Sequence, residues 1–120
     1  MLMGLHHVQL AMPKGAEAKA RAFYVDVLEM HEVAKPAELE DRGGCWFEAG
    51  SVRVHLGGEE PFRPAKKAHP AFQVASLDVT RDKLAARGVA MESDIDLPDI
   101  RRIYIADPFG NRIELLERRD

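Results

Sequence analysis

Four residues of this chain combine a reactive type with a repeated spacing: His7, His55, His69 and Glu114. Imidazole nitrogens together with a carboxylate oxygen form a donor set suited to a divalent transition metal. An imidazole is also the side chain whose ordinary pKa, about 6.5, lets it move protons near neutrality. His7 and His55 lie 48 positions apart, and His69 and Glu114 lie 45 apart, so an ionisable residue opens and closes each half of the chain at nearly equal spacing. A lone strand histidine is more often solvated or hydrogen-bonded than a ligand. It is the position within a repeat that singles these four out. His6 has the opposite strand parity to His7 and reads as a polar N-terminal residue, and His31 reads as solvated.

The elements that must position them also repeat. His7-Val8-Gln9-Leu10-Ala11-Met12 aligns with His69-Pro70-Ala71-Phe72-Gln73-Val74, and Val52-Arg53-Val54-His55-Leu56 aligns with Asn111-Arg112-Ile113-Glu114-Leu115. In the first half, the alternation of Val8, Leu10 and Met12 predicts a strand, and Ala18, Ala22, Val25 and Leu28 at helical spacing predict a helix over about 15–28. Gly43-Gly44 then marks a turn, Cys45–Glu48 a strand, 49–51 a tight hairpin and Val52–Leu56 its partner, with Gly57-Gly58 closing the module. The second half predicts a strand over Ala71–Val74, a helix over Val79–Arg87 ended by Gly88, and strands over Arg101–Ala106 and Arg112–Glu117 joined by the turn 107–111.

A module of about 60 residues buries too little surface to be comfortable alone, which favours two modules in one fold. The expectation is therefore an α+β fold of two βαβββ modules forming a curved mixed sheet, with helices on one face and a cleft on the other. The expected domain is single, 1–120, with module 1 over 1–58, a linker over 59–68 containing Pro61 and Pro64, and module 2 over 69–120. Strand parity puts His7, Gln9, Gln73, Arg53, His55, Arg112 and Glu114 on the face away from the helices, with His69 among them. Three imidazoles and one carboxylate can thus converge on one cleft. Arg53 can hold an anionic or oxygen-rich substrate there, Arg102 and Tyr104 share a parity, and Trp46 and Tyr104 read as core or cleft wall.

Composition narrows the function classes. The chain has 120 residues, a net charge of -3 and no basic block long enough to track a phosphate backbone, so nucleic acid is not an expected partner. No apolar run approaches the roughly 20 residues that cross a bilayer, and no signal-peptide pattern opens the chain, so the expected setting is the cytoplasm, off the membrane. One cysteine, Cys45, cannot form an internal disulfide and has no basic neighbour to activate it; it reads as a small buried residue. The Glu59-Glu60 and Lys66-Lys67 pairs read as solvated loop charges. No Gly-rich phosphate loop or G-x-S-x-G elbow is present.

The paired modules, His7 in the first strand, His69 opening the second module and the run Asp107-Pro108-Phe109-Gly110-Asn111-Arg112-Ile113-Glu114-Leu115 resemble the vicinal-oxygen-chelate superfamily, which includes glyoxalase I, methylmalonyl-CoA epimerase, extradiol dioxygenases, fosfomycin resistance proteins and metal-free bleomycin resistance proteins. The resemblance covers nearly the whole chain. It implies that His7, His69 and Glu114 hold a divalent metal (Zn, Ni, Mn, Co or Fe(II)), with His55 at a fourth position where the glyoxalase branch resembles a glutamate and the epimerase branch a glutamine. His55 then reads as a ligand or a general base, and Glu114 and His55 as the catalytic pair. Trp46, Tyr104, Gln9, Gln73, Arg53 and Arg102 read as substrate-binding. The implied activity is isomerase or lyase chemistry on a small molecule that chelates the metal through two oxygens. The alternatives are a ring-cleaving dioxygenase and a metal-free protein that sequesters a small compound. A homodimer is expected.

Overall fold

The computed structural model describes residues 1–119. The chain divides into two compact units, residues 1–64 and 65–120, each a βαβββ module. The α+β class and the paired modules are as the sequence led us to expect.

In the first unit, β1 (Val8–Pro13), α1 (Glu17–Tyr24), β2 (His31–Val33), β3 (Cys45–Ala49) and β4 (Val52–Glu59) build a mixed four-stranded sheet of order β1-β4-β3-β2, with β1 parallel to β4 and the remaining pairs antiparallel. Pro13, which has no N–H to give a ladder, is tolerated because β1 is an edge strand. The buried core is Met12, Ala20, Tyr24, Phe47, Val54 and Leu56. α1 lies on β3, where the Tyr24 and Phe47 rings stack at 5.4 Å, and each such large buried side chain contributes on the order of 1.5–3 kcal/mol. The Glu17 carboxylate accepts a hydrogen bond from the Gly44 N–H at 3.0 Å. Gly44 is confined to glycine twice over, by its φ of +86° and by the Leu56 carbonyl oxygen, which a Cβ would meet at 2.4 Å.

α1 is shorter than its apolar spacing implied. After Tyr24 the chain runs on as turns, with the Val27 and Leu28 N–H groups both donating to the Phe23 carbonyl, and Glu29 takes φ 61°. The β-branched Val25 and Val27 support this early end. Gly57 and Gly58, read as the close of a module, lie inside β4 opposite Ala11 and Met12. They permit close approach, because a Cβ on Gly57 would meet the Gln9 side chain at 2.6 Å.

In the second unit, β5 (Ala71–Gln73), α2 (Leu77–Ala86), β6 (Glu92–Ser93), β7 (Ile100–Ala106) and β8 (Arg112–Arg118) form a sheet of order β5-β8-β7-β6, again with the first pair parallel and the others antiparallel. Its core is Leu77, Leu84, Ile103, Ile105, Ile113 and Leu115. α2 begins two residues earlier than its apolar pattern, because the Ser76 hydroxyl accepts from the Val79 N–H at 3.2 Å as an N-cap. It ends as expected at Gly88, φ +72°, with the Gly88 and Val89 N–H groups returning to the Ala85 and Leu84 carbonyls. Among the described residues no helix is long and apolar enough to cross a membrane.

Candidate functional site

In the second unit the site starts from register. β7 and β8 pair Tyr104 with Glu114, on the face opposite the buried Ile103, Ile105, Ile113 and Leu115. The Pro70 carbonyl accepts the Glu114 N–H at 3.0 Å, which brings His69 beside the carboxylate. His69 Nε2 lies 3.0 Å from Glu114 Oε1, and His69 Nδ1 lies 2.9 Å from the Lys67 carbonyl oxygen. A carbonyl only accepts, so Nδ1 carries the hydrogen, and Nε2 of a neutral ring then directs a lone pair at a carboxylate oxygen. Two acceptors at that distance require a cation on or between them, either a proton or a metal ion.

Arg102 organises the rest of this cluster. Its Nη1 donates to the Tyr104 hydroxyl at 3.1 Å and lies 3.7 Å from Glu114 Oε2, while its Nη2 reaches Asp94 at 3.4 Å and its Nε donates to the Ile95 carbonyl at 3.1 Å. The buried Glu114 carboxylate is thus flanked by an imidazole and a guanidinium. The Tyr104 ring meets His69 edge-on at 5.3 Å and carries the Arg112 guanidinium on its face at 3.8 Å.

The hairpin between these strands is held by its own polar core. The Asp107 carboxylate accepts from the Phe109 and Asn111 N–H groups and from the Asn111 side-chain amide, each at 2.9 Å. Asn111 Oδ1 in turn accepts from the Ala65 N–H at 3.0 Å, and the Arg112 N–H donates to the Ala65 carbonyl at 2.8 Å. The Asp-Pro-Phe-Gly-Asn turn therefore clamps the incoming chain at Ala65 against the start of β8.

In the first unit the corresponding residues form a ring stack. The antiparallel register pairs Trp46 with His55, and their rings lie 3.9 Å apart at 3°. His7 covers the other face of His55 at 4.1 Å and 16°, and His7 Nδ1 is 3.0 Å from His6 Nδ1. Burial, with the neighbouring His7 and His6 adding to it, pushes His55 down to about 4. At neutral pH its ring nitrogens therefore offer a lone pair. No side-chain nitrogen or oxygen among the described residues is fully buried without a hydrogen-bond partner, so the His55 nitrogens, which make none, reach the surface.

A model of the Glyoxalase/Bleomycin resistance protein/Dioxygenase superfamily matches residues 4–115. The chain belongs to this superfamily. Among solved structures it is similar to a protein from Bacillus anthracis assigned to the glyoxalase family, at 47% identity over 98% of this chain and 97% of that one, with a TM-score of 0.95. It also shares its fold with the genomically encoded fosfomycin resistance protein FosX from Listeria monocytogenes (21% identity, 98% and 94% covered, TM-score 0.76). The same holds for TnmS3, an antibiotic binding protein from Streptomyces sp. CB03234 (24% identity, 98% and 99% covered, TM-score 0.73). No curated protein matches the chain.

Superfamily membership raises the question of a divalent ion, and the two clusters answer it differently. The His69–Glu114 pair fits: two ligand atoms at right angles on an ion, each about 2.1 Å from it, stand about 3.0 Å apart, and the Lys67 carbonyl supplies the outer contact that fixes the imidazole tautomer. The His7–His55 pair does not chelate as stacked, because imidazole lone pairs lie in the ring planes and two nearly parallel planes do not meet at one ion. His7 is exposed and precedes β1, whereas His55 is enclosed between two rings. Among the described residues, no group of three or more His, Cys, Asp or Glu side chains is gathered as a metal site.

Of the other residues singled out by sequence, Tyr104 and Arg102 join the His69–Glu114 cluster and Trp46 joins the His55 stack. Gln9 sits opposite His55 in the β1–β4 register. Arg53 is engaged by Glu48 across the strand pair at 3.7 Å, and Gln73 is exposed opposite Leu116. Arg112 shares the parity of Glu114, and its guanidinium lies over the Tyr104 ring, a contact that strand parity alone does not report. Lys66, read as a solvated charge, lines a cavity together with Arg112.

Proposed function

We propose that this superfamily member is a metal-dependent enzyme acting on a small molecule by isomerase or lyase chemistry, within one glyoxalase-like domain over 1–120. The observation that supports the reading is the His69–Glu114 pair: Nδ1 is engaged by the Lys67 carbonyl, so Nε2 faces the carboxylate oxygen at 3.0 Å, the arrangement two ligands of one ion would take. His69 and Glu114 would hold the ion. The family resemblance adds His7 as the third donor and leaves His55 as a fourth. When bound, such an ion supplies Lewis acidity toward negative charge developing on substrate oxygens. Around it, Arg102 would orient the Glu114 carboxylate and the Tyr104 hydroxyl, and the Tyr104 ring would flank His69 edge-on.

A cytoplasmic homodimer is part of the same proposal. Met1, Leu2, Met3 and Leu5 are 81–120% exposed, an apolar run that a second copy would cover. A strictly monomeric mass in light scattering at micromolar concentration counts against the dimer.

Two other readings have specific support. Two histidines and one carboxylate also suit non-haem Fe(II), which keeps ring cleavage in view. The stacked state of His7 and His55 favours a metal-free binding protein. Elemental analysis of protein purified without chelators, followed by chelation and activity assays with each divalent ion added back, separates the three. We expect a stoichiometric ion and activity that returns with it. Protein that binds no divalent ion in the micromolar range sinks the enzyme reading and leaves the binding protein.

A further inference from the structure

The second unit contains a cavity of about 360 Å³ whose charged and aromatic lining is Lys66, Glu92, Tyr104 and Arg112. A volume of that order takes a small molecule or part of one. Arg112 is held there by its face: the guanidinium carbon lies 3.8 Å over the Tyr104 ring. Stacking of this kind fixes the orientation of a guanidinium while leaving its in-plane N–H donors unused. Arg21, Arg53, Arg101, Arg102 and Arg119 each meet a carboxylate. The Arg112 side chain makes no ion pair or hydrogen bond among the described residues.

Lys66 is brought to the same place by the clamp on its neighbour. Ala65 is bound through both its N–H and its carbonyl to Asn111 and Arg112, so the next residue along the chain projects beside the start of β8. Its ammonium likewise has no carboxylate partner among the described residues. Two cations thus line one small cavity with a single carboxylate, Glu92, which stands opposite Tyr104 in the β6–β7 register. Like charges brought together in a concave site repel each other, and a bound anion removes that repulsion. The one carboxylate sets the charge the cavity accepts: it leaves room for a singly charged group and opposes a doubly charged one.

We propose that this cavity binds a singly charged oxyanion, a carboxylate or monoanionic phosphonate borne by the small-molecule ligand. Arg112 presents its N–H fork, Lys66 its point charge, and Tyr104 is the platform. The proposal rests on the reading of the chain as a small-molecule protein and names the chemical class its ligand carries. It does not depend on a metal, and its test is run without one.

The test titrates sodium acetate and sodium methylphosphonate, at about pH 6 where both carry mainly a single charge and at low ionic strength with chelator present, into ¹⁵N-labelled protein, and follows the arginine Nε–H signals by NMR. A saturable shift of the Arg112 signal is expected. Arg112→Gln should weaken binding by about tenfold or more, Arg112→Lys by less because charge without the fork remains, and Lys66→Gln by about two- to fivefold. Glu92→Gln should tighten it. If Arg112→Gln does not fold, the exposed Lys66→Gln and the charge-conserving Arg112→Lys carry the test, and both must weaken binding, read from the probe's own line broadening. The proposal is overturned if no saturable shift appears in the millimolar range, or if either cation variant binds the anion as tightly as the parent. Because the protein is metal-free throughout, loss of the metal reading leaves this result standing, and the reverse also holds.

Discussion

The two modules share a topology and a repeat, yet they treat buried ionisable groups in opposite ways. The first module neutralises them. His55 is sandwiched between Trp46 and His7 and pushed down to about 4, and burial pushes the Cys45 thiol up to about 11. The second module pairs them. Glu114 lies between His69 and Arg102, and Asp107 is saturated by its own turn. Repetition of a strand pattern conserves where a side chain points, while its neighbours across the sheet decide whether it is charged. A repeat-based ligand set is therefore not four equal ligands. The carboxylate half is an ion-paired cluster, and the imidazole half is packed as an aromatic stack.

The largest effect expected from this difference is in metal affinity. Glu114→Gln preserves shape and removes the charge that faces His69, so affinity should fall by on the order of 10- to 100-fold or more. His55→Gln removes a ring whose plane is parallel to that of His7, and its cost should stay below about tenfold. Competition against a chromophoric chelator measures both. If Glu114→Gln binds metal as tightly as the parent, the carboxylate is not a ligand. If His55→Gln costs as much as Glu114→Gln, the stack opens to bind metal and the two modules are equivalent after all.

A second comparison concerns what holds each site in place. Asn111→Ala removes the acceptor of the Ala65 N–H and one donor to the Asp107 carboxylate at a buried position, a loss of about 1–3 kcal/mol in urea unfolding. The same change frees Lys66 from its place beside Arg112, so anion binding should weaken along with stability. Arg53→Gln in the first module removes only an exposed cross-strand pair and should change stability by less than about 1 kcal/mol. Equal losses in the two variants would mean that the turn does not clamp the connection.

Much of this was legible in the sequence, and the omissions have physical causes. Period-2 alternation located β1, β3, β4, β7 and β8, because each buries one face, and β5 through its half-buried Phe72 between exposed Ala71 and Gln73; β2 and β6 are short and largely exposed, and such strands leave no apolar alternation to read. The Trp46–His55 stack was within reach. A hairpin that pairs Ala49 with Val52 necessarily puts Trp46 opposite His55, so the 49–51 turn alone implies the pair. Lys66 was not within reach, since its position depends on a long-range clamp between Ala65 and Asn111, to which neither period nor propensity responds. The charge state of His55 belongs to the same class: it is set by burial between two rings, which strand parity does not report.

The smallest effect tests neutralisation in the first module away from any metal donor. Cys45 is buried on β3, and its thiol moves from an ordinary 9.0 up to about 11, chiefly through burial and secondarily through the Glu32 carboxylate, with Arg21 opposing. Between about pH 9 and 11 the unfolded chain has released a proton that the folded chain retains, so stability must fall as pH rises through that window. Below pH 9 both states hold the proton and the contribution is fully present. Cys45→Ala removes this titration while leaving every lysine and tyrosine in place, so comparing variant with parent isolates the thiol. Between pH 8 and pH 10 the parent should lose about 1 kcal/mol more than the variant in urea unfolding, within the limit of about 1.4 kcal/mol per pH unit for one proton. The same shift predicts slow alkylation of folded Cys45 at pH 8, because the thiolate that reacts is scarce and enclosed. If parent and variant lose stability in parallel and the folded thiol alkylates at the rate of the unfolded one, the first module does not hold its buried groups neutral, and its contrast with the second rests on the ring stack alone.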